Sequence, residues 1–279
     1  MALDDLFAAE DLGPLARRTP EDWDRALRGA LALRGRDPTL VLLSRMVRHA
    51  VNEPSDSPTR ILVNRWQWIL SQAWWKSLVH GAVKIRRSHA PDSDFYAAAA
   101  RDPVFRRDFG RTFGWSGDLK AALHKNSHAA PLVAGAVFYS IEYCERIVAI
   151  GSLTRIDDGN SKAELSIGFP FERPPGVAYK AMLMMLHLVF WVFGLNKVYA
   201  YVYEDNQWAL DNSLRLGLRR EGFLQDHFVV DNSFLSVHAF GLTRAQALED
   251  EHLVKVVKRR INQDWRRLAL LATSRTPDW

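Results

Sequence analysis

Cysteine is almost absent from this chain of 279 residues, in which Cys144 is the only one. One cysteine excludes an intrachain disulfide and any metal site built from several cysteines, and it is typical of a reducing compartment. The acidic first residues also lack a signal-peptide pattern, so a cytoplasmic location is expected.

Long apolar runs are scarce as well. The most apolar stretch, 181–195, contains His187 and is shorter than the roughly 20 residues that a membrane-spanning helix needs. Because this stretch is apolar on nearly all sides, it is predicted to be a helix buried in the core. No membrane partner is expected.

A strong excess of one charge is also missing. The 37 basic and 32 acidic residues leave a net charge of +5. This mild, scattered excess favours anionic ligands but does not predict a nucleic-acid partner. With 48% hydrophobic and 25% charged residues, the composition is that of an ordinary globular protein.

Three segments differ in their patterns. Residues 1–80 are predicted to form helices at 21–34, 40–51 and 61–79, with a polar, proline-containing break at 52–60. Residues 81–243 mix strands and helices, and 134–169 reads as an antiparallel meander of three strands. Residues 244–279 are predicted to form one long, charged helix.

The loop Arg173-Pro-Pro-Gly-Val-Ala178 lies between a strand that ends at Phe169 and the buried helix. The N-terminus of a helix leaves unpaired N–H groups and carries a partial positive charge, so backbone N–H groups here can bind a phosphate. The small Gly176 and Ala178 would let a pyrophosphate approach the backbone. An ordinary turn with a proline near the helix start is the alternative.

Arg-x-x-Gly-x-Ala between a strand and a helix resembles the pyrophosphate loop of the GNAT acetyltransferase superfamily, in particular its RimJ/RimL-type branch. Three further stretches carry the resemblance, in the family's order: VKIRRSHAPDSDFYAAAARDP (83–103), SKAELSIGF (161–169) and NQWALDNSLRLGLRREG (206–222). The resemblance covers about 81–243. It implies an α+β fold: a mixed, mostly antiparallel, splayed sheet flanked by helices, here with an N-terminal helical extension and a long C-terminal helix.

The resemblance also implies the chemistry, which is direct transfer of an acyl group from acetyl-CoA, or another acyl-CoA, to a primary amine, without a metal. The amine would belong to a small molecule or a protein N-terminus. The loop departs from the family because it lacks a basic residue between its small residues. The residues that the resemblance assigns to the acyl-CoA are Ser166, Ile167, Gly168, Phe169, Arg173, Gly176, Val177, Ala178, Tyr179 and Asn206.

Glu164 aligns with a strand glutamate of the family and is the candidate general base, acting through a water. Strand alternation places Glu164, Ser166 and Gly168 on one face. An ordinary solvent-facing glutamate is the alternative, and Glu142 on a neighbouring strand is the rival base. Ser213 stands where the superfamily often has a tyrosine acid, so it is the candidate hydrogen-bond donor to the leaving thiolate, or a plain helix-face serine.

The residues that would contact the acceptor amine are predicted to be two tryptophans and one histidine. Trp68 and Trp75 lie seven apart on the helix predicted over 61–79, so they share one face. They are expected to line the acceptor pocket, cover the sheet or form a homodimer contact. His238 lies on the last strand, which in the family can reach the acceptor.

Two alternatives to an acetyltransferase stay open. The first is a GNAT-like fold that binds without turnover, which the loop without a basic residue and the missing acid tyrosine would allow. The second is an acyltransferase whose donor is a longer acyl-CoA, an acyl carrier protein or an aminoacyl-tRNA.

Overall fold

The computed structural model describes residues 19–34, 36–50, 52–54, 56–71, 77–109, 118–128, 134–157, 160–171, 173–230 and 232–273. The first helices in the described part of the chain are α1 (Pro20–Arg34), α2 (Arg36–Ala50) and α3 (Pro58–Ser71). Trp66 on α3 is fully buried and donates a hydrogen bond from its indole Nε1 to Asp24 on α1, at 2.8 Å. This bond satisfies a polar group that would otherwise be costly to bury.

A single sheet of eight strands follows: β1 (Leu78–His80), β2 (Val83–Arg87), β3 (Val137–Tyr143), β4 (Arg146–Asp157), β5 (Lys162–Gly168), β6 (Lys197–Tyr203), β7 (Arg219–Val230) and β8 (Ser233–Thr243). The spatial order is β1-β2-β3-β4-β5-β6-β8-β7, and every pair is antiparallel except β5–β6. The predicted meander corresponds to β3–β5, whose strands pair antiparallel in sequence order. The α+β class with a mostly antiparallel sheet is therefore confirmed.

Helices cover both faces of the sheet because alternate strand residues are apolar on both sides. The first face packs on α7 (Val177–His187), which continues as a π-helical turn over Leu188–Val192. This is the apolar stretch that the sequence predicted to be buried, and most of its side chains are inaccessible. The second face carries α4 (Ser93–Ala99), α5 (Pro103–Phe109) and α6 (Leu119–His128), which enclose a smaller apolar cluster.

The sheet splays open between its two parallel strands. β5 and β6 pair at only three positions, the last of which joins Glu164 to Tyr199. Beyond this point β5 continues to Gly168 and β6 to Tyr203 without pairing to each other. Backbone N–H and C=O groups along both inner edges therefore face a gap instead of a neighbouring strand.

The single long helix predicted for the C-terminal segment is wrong. Instead the chain forms α9 (Arg244–Glu249), α10 (Glu251–Ile261) and α11 (Trp265–Thr273). Asp250 is extended and caps α10 by accepting from the Leu253 N–H, while Asn262 ends that helix in the left-handed conformation. Both residues are of types that favour helix ends over helix interiors.

The helix predicted over 61–79 also differs, since α3 starts at Pro58, its described part ends at Ser71, and 78–80 belongs to the sheet. The division at residues 80 and 243 stays a prediction. Trp75 and the side chain of Trp68 lie outside the described residues, so their acceptor role also stays a prediction. Across the described chain, none of the helices combines the length and hydrophobicity that crossing a membrane requires.

Candidate active site

A cavity of about 280 Å³ occupies the splay between β5 and β6. Helix α8 (Gln207–Arg215) closes one side of it and α5 the other. The predicted site residues that line this cavity are Ser166, Ile167, Gly168, Phe169, Arg173, Ala178, Tyr179, Asn206 and Ser213. Residues from three separate stretches of sequence, 166–169, 173–179 and 206–213, are thus brought together at one place.

The loop before α7 forms one end of this cavity. Gly176 is the residue before the helix and has φ +75°. This left-handed conformation strains any residue that carries a side chain, so it favours glycine. A Cβ added there would meet nothing within 4 Å, so the space beside it is open. Val177 is buried in the core instead. Gly176 and Val177 adjoin the cavity without lining it, so an anion could approach the helix N-terminus from this side.

Arg173 packs against the aromatic ring of Trp208, which was not among the predicted site residues. Its guanidinium carbon lies 3.5 Å from the ring centroid of Trp208 and 5.8 Å from that of Phe169. Partial burial lowers the pKa of Arg173. Trp208 is partly exposed on α8 and lines the cavity. Its place two residues after Asn206, at the start of an amphipathic helix, was the available sequence signal.

Asn206 and Ser213 both belong to α8. The Asn206 Oδ1 accepts from the Ala209 N–H at 3.1 Å and so caps the helix, while its Nδ2 donates to Asp108 at 3.0 Å. The Ser213 hydroxyl is buried and donates to the Ala209 carbonyl at 2.8 Å. The Ser213 proton is therefore already engaged within the helix, which weakens it as a donor to another group.

The two candidate bases lie outside the lining of the cavity. Glu164 is only 3% exposed, occupies the last paired position before the splay, and has Arg155 Nε 3.7 Å from its Oε2. Glu142 bonds to Arg86 at 2.5 Å and to Lys84 at 3.3 Å. Glu142 therefore belongs to an ion-pair network of β2 and β3, whereas Glu164 stands at the inner end of the gap.

His238 lies on β8 opposite Val202 and does not line the cavity. It accepts a hydrogen bond from Arg220 at 2.6 Å and contacts the ring of Phe223. Partial burial and the charge of Arg220 lower the pKa of His238. A neutral histidine facing an arginine accepts a hydrogen bond in this arrangement. That His238 contacts the acceptor amine stays a prediction.

Three tyrosines of β6, which we call the tyrosine face, were missed as site residues. Tyr199, Tyr201 and Tyr203 alternate along the strand and so point to one side of the sheet. Tyr201 and Tyr203 line the cavity. Burial, followed by the neighbouring charge of Glu164, raises the pKa of Tyr199. The alternation of tyrosines in KVYAYVY (197–203) was the available sequence signal.

Helix α5 supplies the wall opposite β6. A Cβ at Gly168 would overlap the ring of Phe105 and press against Phe109, so only glycine allows this helix to lie so close to β5. The rings of Phe105 and Phe109 stack at 5.1 Å. The Asp108–Asn206 hydrogen bond ties α5 to α8 across the end of the cavity. Among the described residues, no cluster of three or more histidine, cysteine, aspartate and glutamate side chains could hold a metal.

The sequence matches no protein-family model and no curated protein sequence. Solved structures do match the fold. Spermidine N-acetyltransferase from Vibrio cholerae, in complex with CoA and spermine, superposes with a TM-score of 0.54 at 17% sequence identity, over 61% of this chain and 99% of that chain.

A chimera of that Vibrio cholerae enzyme with hSSAT gives a TM-score of 0.53 at 17% identity, over 60% of this chain and 99% of that one. A probable acetyltransferase gives 0.50 at 16% identity, over 61% and 98%. The chain therefore has the fold of GNAT acetyltransferases. The RimJ/RimL branch stays a prediction.

Proposed function

We propose that this protein is an acyl-CoA-dependent N-acyltransferase that transfers an acetyl group from acetyl-CoA directly to a primary amine. The splay of β5 from β6 is the observation that carries the proposal, because it exposes strand backbone inside a cavity that also reaches a helix N-terminus. The complex of the Vibrio cholerae enzyme with CoA and spermine supports both the donor and the amine acceptor. A cytoplasmic location is part of the same proposal.

The donor would bind with its phosphates at the N-terminus of α7 and its thioester beside β5. The open space at Gly176 leaves room for a pyrophosphate beside the N-terminus of α7, which carries a partial positive charge. The guanidinium of Arg173 adds a full positive charge. The pantetheine arm would then enter the splay past Ala178 and Asn206. A backbone N–H of 166–169 that no longer pairs with β6 would stabilise the oxyanion of the tetrahedral intermediate.

Two protons must leave the acceptor nitrogen. An ammonium gives one proton to a base, attacks the thioester carbonyl as a neutral amine, and loses the second as the carbon–sulfur bond breaks, so that CoA departs as a thiol. We assign the first step to Glu164 through a water, because it shares a strand face with Ser166 and Gly168 at the inner end of the gap. Glu142 is less suited because Arg86 and Lys84 already hold it.

A binding module without turnover is a second candidate, and one observation favours it. The only residue assigned to protonate the thiolate, Ser213, donates its proton to the Ala209 carbonyl. An enzyme with this arrangement would protonate CoA from water or from the acceptor nitrogen itself. The acyl chain length and carrier form a further alternative, which a series of acyl donors would resolve.

Calorimetry with acetyl-CoA, followed by detection of free CoA thiol after adding a primary amine, tests the proposal on the full chain. We expect binding and amine-dependent thiol release. Binding without release for any amine would support the module, and absence of binding would contradict both.

A structure of the Vibrio cholerae enzyme is dodecameric, and it superposes with a TM-score of 0.51 at 15% identity. A homodimer stays our prediction for this protein, and light scattering would test it.

A further inference from the structure

We infer that the acceptor of this protein is a primary amine that carries an aromatic ring, and that this ring binds between the tyrosine face of β6 and helix α5. The inference rests on the acyltransfer function proposed above and names its substrate class. The acceptor must reach the thioester beside β5 from the side of the cavity opposite the α7 loop. Tyr201 and Tyr203 of the tyrosine face and helix α5 line the cavity there.

The β6 side of this wall is rich in aromatic rings. The ring centroid of Tyr201 lies 5.8 Å from those of Tyr199 and His227 and 6.1 Å from that of Phe228. Phe228 also packs edge-on against Tyr203 at 6.1 Å. This packing makes the wall rigid, because each ring is supported by another one from β6 or β7. A rigid aromatic wall binds a flat ring with little loss of side-chain entropy.

The opposite side of the cavity is aromatic as well. Phe105 and Phe109 come from α5, and both line the cavity together with Tyr201 and Tyr203. Phe105 lies directly over Gly168 on β5, as the overlap with a Cβ at that position shows. A ring held between Phe105 and Tyr201 would thus lie next to the strand where the thioester carbonyl binds.

One carboxylate at this wall is available for one ammonium. Asp102 lines the cavity, accepts the Phe105 N–H at 2.7 Å, and has no ion pair within the described part of the chain. Asp108, the other acidic residue in the described lining, is already bonded to Arg107 at 2.9 Å and to Asn206 at 3.0 Å. An amine with a single positive charge matches this arrangement.

A linear polyamine matches this arrangement of charges poorly. Such a ligand carries several ammonium groups, and each one that leaves water needs a carboxylate or a comparable partner. The described lining offers a single carboxylate without an ion pair and also contains the cationic Arg173. The aromatic walls would, in contrast, recognise a ring by stacking and by edge-to-face contact, which a flexible alkyl chain cannot make.

The test compares three acceptors on the full-length protein with acetyl-CoA as donor: 2-phenylethylamine, 2-cyclohexylethylamine and spermidine. The first two share the ethylamine chain and a six-membered carbon ring, and differ in whether that ring is flat and aromatic, so their kcat/KM ratio tests the inferred contact. We expect 2-phenylethylamine to exceed 2-cyclohexylethylamine by about tenfold, as estimated for one or two aromatic contacts, and to exceed spermidine by more. CoA thiol release measures the rates.

Variants of Tyr201 test whether the preference for the aromatic amine depends on this wall. Tyr201→Leu should raise the KM for 2-phenylethylamine and remove its advantage over the cyclohexyl analogue, while Tyr201→Phe should keep that advantage. The calorimetric Kd for acetyl-CoA should stay within about twofold in both, since the donor side is untouched. Phe234→Leu is the matched control, because Phe234 is an exposed aromatic residue of β8 outside the cavity.

Failure of this inference differs from failure of the proposed function. If acetyl-CoA binds and amines are acetylated, but spermidine or the cyclohexyl analogue is used as well as the aromatic amine, the inference is overturned and the function stands. A preference that survives Tyr201→Leu overturns it too, as does acetyl-CoA binding with no turnover of the aromatic amine. If acetyl-CoA does not bind, both proposals fall.

Discussion

The guanidinium carbon of Arg173 lies 3.5 Å from the centroid of the Trp208 ring, at the edge of the cavity between β5 and β6. The stacking fixes an arginine from a loop against a residue on helix α8. Because the ring occupies one face of the guanidinium, the N–H groups at its rim remain directed outward in the plane, where a phosphate could accept them. Trp208 thus orients the cation that we assign to the donor.

The first prediction concerns this pair. Trp208→Ala should weaken acetyl-CoA binding roughly 2- to 30-fold, the equivalent of about 0.5–2 kcal/mol for a cation–π contact. Trp208→Phe should recover part of the loss because it retains a ring. Leu214→Ala is the control, since Leu214 is exposed on the same helix but does not line the cavity. Equal affinity of Trp208→Ala and the unaltered protein in calorimetry would exclude the stacking from donor binding.

The second prediction concerns Gly176. Gly176→Val should weaken acetyl-CoA binding, because the side chain would project into the open space where the phosphates approach. Its φ of +75° means that the substitution also strains the backbone. Gly135→Val controls for the strain, since Gly135 has φ +69°, also has nothing within 4 Å of an added Cβ, and does not line the cavity. Equal losses of affinity in the two variants would point to strain alone.

The third prediction separates the two glutamates. Glu164→Gln should lower kcat by about 10²-fold or more at neutral pH, as expected when a general base is removed, with little change in the KM for acetyl-CoA. Glu142→Gln should instead lower the melting temperature, because Arg86 and Lys84 lose a partner. If kcat collapses in Glu142→Gln and survives in Glu164→Gln, the base is Glu142.

Local sequence patterns were sufficient to predict most of the sheet. KVYAYVY alternates fully and forms β6, and VKIRR forms β2, because a half-buried strand needs a period of two. The C-terminal breaks were also encoded locally, by Asp250 as a helix cap and Asn262 as a left-handed residue. The prediction of one long, charged helix overlooked these two signals.

The composition of the site could be predicted only in part, because its contacts join distant segments. The resemblance supplied the residues of β5, the loop and α8 that line the cavity. The role of the tyrosine face depends on β6 lying beside the splay, and the engagement of Glu142 depends on the register of β2 against β3. The overlap of Phe105 with Gly168 joins residues more than sixty positions apart, and no local pattern reports such a contact.

The last prediction concerns stability at acidic pH. His187 is buried in α7, and its Nδ1 accepts a hydrogen bond from the Trp265 indole of α11 at 3.3 Å. Burial lowers the pKa of His187 from 6.5 to about 4. Between these two values the unfolded chain binds a proton that the folded protein excludes, so the free energy of unfolding decreases as the pH falls.

The full contribution of the neutral, buried His187 to the free energy of unfolding should be present above about pH 6.5. It should decline steadily toward pH 4, by roughly 3 kcal/mol at most. Urea unfolding at several pH values between 4 and 8 would measure it. In His187→Gln the amide can still accept from Trp265 but does not titrate, so the difference in unfolding free energy between the two proteins should change across this range. A difference that stays constant with pH would show that His187 does not contribute to the acid sensitivity of the fold.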